Sequence, residues 1–173
     1  MKITYKFIMI SLVFLGGCAS KNLSSNSEST GVPNQSSAKL ASIHSSAVSK
    51  RLMECIVKSN QSADALLVDS QVIVVTKNNP NAKALFNSTE KVNDQQAKAL
   101  STYLVEANAC RPIALEGVSP EMILVYEDFF KNIDRVYNDL IARKITIGVA
   151  NQERQLLIED ARLKRLAIQV KKN

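Results

Sequence analysis

Ser119–Leu140 reads SPEMILVYEDFFKNIDRVYNDL, and its spacing decides the fold. Met122, Tyr126, Phe129, Ile133, Val136 and Leu140 follow one another by steps of four, three, four, three and four, which places all six on one stripe of an α-helix with about 3.6 residues per turn. A strand needs alternation by two, and this stretch has none. Its start is also marked. Ser119 offers a side-chain oxygen to the open first-turn amides, Pro120 fits the first turn, and Glu121 complements the positive end of the helix dipole. Such a stripe is a seam, and it requires other helices to pack against.

Those helices can be read on either side. Downstream, ARKITIGVANQERQ turns the chain back, and Thr146 is positioned to cap a final helix from about Ile147 to Lys171. Its apolar side is expected to comprise Val149, Leu156, Leu157, Leu163, Leu166, Ala167 and Val170. The short connection makes these two helices antiparallel neighbours. Arg162, Lys164, Arg165, Lys171 and Lys172 suit the negative end of the last helix. Upstream, Asn93 and Gln96 have capping-box spacing for a helix reaching about Arg111, with Leu100, Tyr103, Leu104, Ala107 and Cys110 inward. KNNPN, Lys77–Asn81, breaks the chain at Pro80, and a loop is expected from there to about Thr89. From Ala38 to Thr76, apolar residues recur at threes and fours, predicting one long helix or two in line. VIVVT, Val72–Thr76, is β-branched and would suit a strand; helix is preferred because no second strand is available to pair with it. The expectation is an all-α domain over residues 38–173, an antiparallel bundle of about four helices with the first long or broken.

Composition agrees. Hydrophobic residues make up 46% of the 173 residues, enough for a core, while five glycines, four prolines and 5% aromatics argue against a turn-rich sandwich. The formal charge of +6 and pI of about 9.3 are too modest to indicate nucleic acid as a partner.

The first 37 residues follow other rules. Ala19–Ser37 carries seven serines and hardly any large apolar group, so it cannot bury enough surface to offset chain entropy and reads as a disordered tether, residues 18–37. Ahead of it, Lys2 and Lys6 precede the apolar run FIMISLVFL, Phe7–Leu15. That run is too short for a bilayer core needing about 20 helical residues, and has the form of a signal-peptide core. Leu15-Gly16-Gly17-Cys18 resembles the lipobox of bacterial lipoproteins. The resemblance covers residues 1 to about 20. It implies removal of residues 1–17 by cleavage between Gly17 and Cys18, with attachment of long acyl chains of the palmitate kind to Cys18. Since each buried methylene contributes about 0.8 kcal/mol, two or three such chains anchor the protein durably to a membrane. Ala19, where an Asp would imply retention at the inner membrane, points to the periplasmic face of the outer membrane.

The two remaining cysteines, Cys55 and Cys110, fall on apolar sides of the first and second expected helices, and an exported protein meets an oxidising compartment, so a Cys55–Cys110 disulfide is expected. No CxxC spacing indicates redox catalysis. His44 is the single histidine, too little for a zinc site or a separate triad, and neither GxSxG, SxxK nor a phosphate-binding glycine loop occurs. Glu127, Asp128, Asp134, Asp139, Glu153, Glu159 and Asp160 read as solvated helix surface; Asp134 with Asn138, or Asn151 with Arg154, are candidates for a polar cluster. With neither catalytic residues, metal nor cofactor indicated, the sequence points to a non-enzymatic envelope lipoprotein that binds another envelope protein or supports envelope organisation. The alternative is a small-ligand carrier or enzyme with a site between helices.

Overall fold

A computed structural model describes residues 35–171, with side chains from Ser46 onward. The signal segment, Gly17, Cys18, the tether as far as residue 34 and the side chain of His44 lie outside the described residues. Seven helices follow in order: α1 (Gln35–Ser59), α2 (Ala63–Gln71), α3 (Ala82–Phe86), α4 (Asp94–Asn108), α5 (Arg111–Leu115), α6 (Pro120–Ile141) and α7 (Ile147–Val170). The domain is all-α, as the spacing predicts.

Of the two forms expected for the first segment, long or broken, the chain takes the broken one. After α1 ends at Ser59, Ser62 restarts the chain by accepting a hydrogen bond from the Ala65 amide at 3.2 Å. A correction concerns Val72–Thr76, which is not helical: α2 stops at Gln71, and Val72 and Ile73 plunge into the core. The β-branched run disfavours helix, yet no partner strand is needed: the Val68 carbonyl takes the Val72 and Ile73 amides, and side chains take the three amides that follow. Asn151 of α7, itself buried, accepts from the Val74 amide at 2.8 Å and donates to the Val72 carbonyl at 2.8 Å and the Ile147 carbonyl at 2.9 Å. Asp69 accepts from the Val75 amide (2.7 Å), the Thr76 amide (2.9 Å), the Thr76 hydroxyl (2.7 Å) and Asn79 Nδ2 (2.9 Å).

Other boundaries shift for local reasons. α1 begins at Gln35, three residues before the expected start, and α3 occupies part of the expected loop after Pro80. The capping box of α4 forms as its spacing predicts, with the Gln96 amide on Asn93 Oδ1 at 2.9 Å and the Asn93 amide on Gln96 Oε1 at 3.0 Å. α4 ends at Asn108, however, and Arg111 with Pro112 opens the separate α5. Ser119 occupies the N-cap of α6 but makes no side-chain capping bond; Thr146 does cap α7, accepting from the Val149 amide at 3.2 Å.

α7 lies against α6 in the opposite direction. Lys164 meets Asp128, Arg165 meets Tyr126 and Arg154 meets Tyr137, so contacts advance along one helix as they retreat along the other. The start of α7 docks on the segment after α3, where the Ile147 amide donates to the Glu90 carbonyl at 2.8 Å and the Gly148 amide to the Ser88 carbonyl at 3.0 Å. A Cβ at Gly148 would overlap that Ser88 oxygen, so this approach requires glycine. Val68, Val72, Ile73, Leu100, Val136, Leu140 and Ala150 form the centre of the core.

Six of the seven residues of the predicted last-helix stripe face outward, Ala167 among them. Leu157 packs against the core, but Leu156 (70% exposed), Leu163 (58%) and Val170 (75%) lie open, with Leu166 and Val149 also exposed. Helix periodicity alone could not tell which of two apolar faces the core would take.

Candidate functional site

The α6 stripe divides along its length. Ile133, Val136 and Leu140 are buried in the core, whereas Tyr126 and Phe129 remain partly exposed and line a cleft of about 310 Å³. Its other walls come from Leu52 and Ile56 of α1, Tyr103 and Leu104 of α4, and Arg154, Ile158, Ala161 and Arg165 of α7. The α7 residues are spaced by four, three and four, so they share one face of that helix. Leu156, Leu163 and Val170 are about half a turn away, on the opposite face.

Apolar groups fill the middle of this cleft and polar ones its ends. At one end Arg154 Nε donates to the Tyr137 hydroxyl at 3.0 Å; at the other an Arg165 Nη donates to the Tyr126 hydroxyl at 3.5 Å, with the guanidinium carbon 5.6 Å from that ring's centroid. Arg165 thus belongs to the cleft instead of merely complementing the helix dipole. Arg111 approaches from α5, with its guanidinium 4.6 Å from the Phe130 centroid and forked onto Asp134 by bonds of 2.7 and 2.5 Å. Among the described residues, Arg154 and Arg165 have no carboxylate at ion-pair distance, in contrast to Arg111.

Tyr103 donates to Asn60 Oδ1 at 3.1 Å beside the Arg154 end. Burial, reinforced by the neighbouring Tyr137 and Asp69 and opposed by Arg154, pushes its phenol up to about 12, so it remains a neutral donor at physiological pH.

The structure joins Cys55 and Cys110. Their sulfurs are 2.06 Å apart and their Cα atoms 5.8 Å apart, within the bridging range. Nearby, Arg51 of α1 forks onto Glu116 with two bonds of 2.8 Å. The carboxylates expected at the surface mostly form ion pairs there: Asp128 and Asp160 with Lys164, Asp139 with Lys144, and Glu159 with Arg162. Hydrogen bonding and attraction from Lys164 hold the Asp128 carboxyl below its ordinary value.

Neither proposed polar cluster forms. Asp134 turns to Arg111, and Asn151 and Arg154 diverge, one to the Val72–Val74 backbone and the other to the cleft. The cleft arginines and tyrosines were not legible as a site, although the two arginines flanking Ile158 and Ala161 at helical spacing were a usable signal. Among the described residues no three His, Cys, Asp or Glu side chains are grouped to hold a metal ion, and no helix is long and apolar enough to cross a membrane. No family model, curated protein or solved structure matches the chain.

Proposed function

We propose that the protein is a bacterial lipoprotein, anchored through acylated Cys18 at the periplasmic face of the outer membrane, whose helical domain is a non-enzymatic interaction module. The supporting observation is the exposed apolar ridge on α7: Leu156, Leu163 and Val170 recur every seven residues, with Leu166 alongside. A repeat of seven is the spacing at which one helix lays a continuous seam against another, so the partner is an envelope protein presenting an amphipathic helix. Photo-crosslinkers placed at 156 and 163 in intact cells should give one recurrent adduct, absent when the crosslinker is at the cleft-facing position 161 and lost in Leu163→Arg. Cys18→Ala should abolish acyl labelling and membrane retention. Indiscriminate adducts, or membrane-bound and acyl-labelled Cys18→Ala, would count against the two halves of the proposal respectively.

A second reading, a small-ligand carrier, draws support from the cleft. Its volume lies at the lower end of the range of about 300–1,000 Å³ common for ligand sites, and its apolar lining carries only a few directed polar groups.

A further inference from the structure

We infer that the cleft binds a single-chain amphiphile with an anionic headgroup, the head at Arg154 and Tyr137 and the tail along α6 and α7 towards Arg165. The inference rests on the carrier reading of the cleft and specifies its ligand.

Charge selects the head. Arg154 spends its Nε–H on the Tyr137 hydroxyl, leaving the terminal guanidinium nitrogens without a carboxylate among the described residues. Because the Tyr137 oxygen accepts from Arg154, its own hydrogen is directed elsewhere. A guanidinium fork beside a phenol O–H is a donor set for carboxylate or phosphate oxygens. Tyr137 is buried, so the head would meet this donor set in poorly hydrated surroundings, where charge-assisted bonds count for more.

Shape selects the tail. Between the two arginines α7 rises about 16 Å at roughly 1.5 Å per residue, and its intervening cleft residues, Ile158 and Ala161, are apolar. Phe129, Phe130 and Ile133 supply the facing side from α6. A slot with an apolar middle and cationic ends fits a linear chain of that length better than a compact polar metabolite. Arg111 takes no part in the selection, because Asp134 already neutralises it.

The test uses the full-length chain in its native membranes and three photoreactive diazirine probes of equal chain length: a fatty acid, an alkyl phosphate and a fatty alcohol. Adducts are mapped by mass spectrometry. The acid, the phosphate or both should label cleft residues of α6 and α7 at least about tenfold more than the alcohol, the ratio expected for one charge-assisted hydrogen bond or more; which of the two labels identifies the headgroup. Arg154→Gln should erase that preference, Arg154→Lys should retain part of it, and Arg162→Gln on the outer surface should leave it unchanged. The comparison of probes on the wild-type chain stands even if a variant fails to fold. Equal cleft labelling by acid, phosphate and alcohol would overturn the anion selectivity while sparing the carrier reading. Absence of cleft adducts from all three would overturn both.

Discussion

Asn151 shows what one side chain can settle. Its carboxamide has a donor and an acceptor side, and both are used on the non-helical segment after α2: the Val74 amide on one, the Val72 carbonyl on the other. A buried amide or carbonyl left without a partner costs about 1–3 kcal/mol. Asn151→Ala should therefore destabilise the domain by about 2–4 kcal/mol in urea denaturation, whereas exposed Gln155→Ala should change it by under about 0.5 kcal/mol. Asn151→Asp should fare no better than alanine, since a carboxylate cannot donate to the Val72 carbonyl. The effect could not have been read from the sequence. Asn151 is one polar residue in a helix, and its partners lie 77 and 79 positions earlier. Arg143 is a second case. It adopts a φ of 58°, where glycine is usual, to close α6 with the Arg143 amide on Leu140 and the Lys144 amide on Asp139. Its side chain ties the same turn to the start of α4, donating Nε to the Val92 carbonyl at 3.0 Å and pairing with Asp94.

At the scale of elements, caps were the most readable features and the termini of α1 and α2 the least. Asn93–Gln96 and Thr146 act within three residues of themselves, so local sequence suffices. Val72–Thr76 departs from the expected helix without pairing as a strand, because Asp69 and Asn151 provide a third solution for its backbone. Asp69 also gives the loop a pH response. Burial raises its carboxyl, but hydrogen bonds from the Thr76 hydroxyl and amide, Asn79 and the Val75 amide outweigh this and hold it below its ordinary value. A carboxyl lowered in the folded state contributes stability that is complete above its unfolded value of about 3.9 and is lost as pH falls through the folded value. Asp69→Asn should therefore be less stable than wild type at pH 7, and the gap should close as thermal melts are taken below about pH 4. A gap that does not change with pH would assign the effect to geometry instead of charge.

For the whole molecule, the decisive tie is the Cys55–Cys110 bridge, which joins α1 to the α4–α5 junction across a sequence separation of 55. Closing a loop of that length in the unfolded chain is worth about 4 kcal/mol in the entropic model. Cys110→Ser, or reduction of the wild type, should lower stability by up to that amount, with a matching change in non-reducing mobility. α1 should loosen first, because its other described ties to the body are few: Arg51 to Glu116 is an exposed pair, and such pairs are worth about 0–1 kcal/mol. Amide hydrogen exchange that rises throughout α1 before it rises in α6 would be the signature. Loosening α1 would also open the cleft, since Leu52 and Ile56 form one of its walls.

Taken by itself, the order of residues determined the helical class, the caps of α4 and α7, the pairing of α6 with α7 and the candidacy of Cys55 and Cys110. All of these depend on spacing, local hydrogen bonding or short connections, which act over a few residues. Tertiary structure alone decided which face of α7 was buried, why Val72–Thr76 needs neither helix nor sheet, and how Tyr103, Tyr126, Tyr137, Arg154 and Arg165 come to share a cleft. Burial and charge compensation depend on groups distant in the chain, and a side chain's surroundings exist only once the helices have packed.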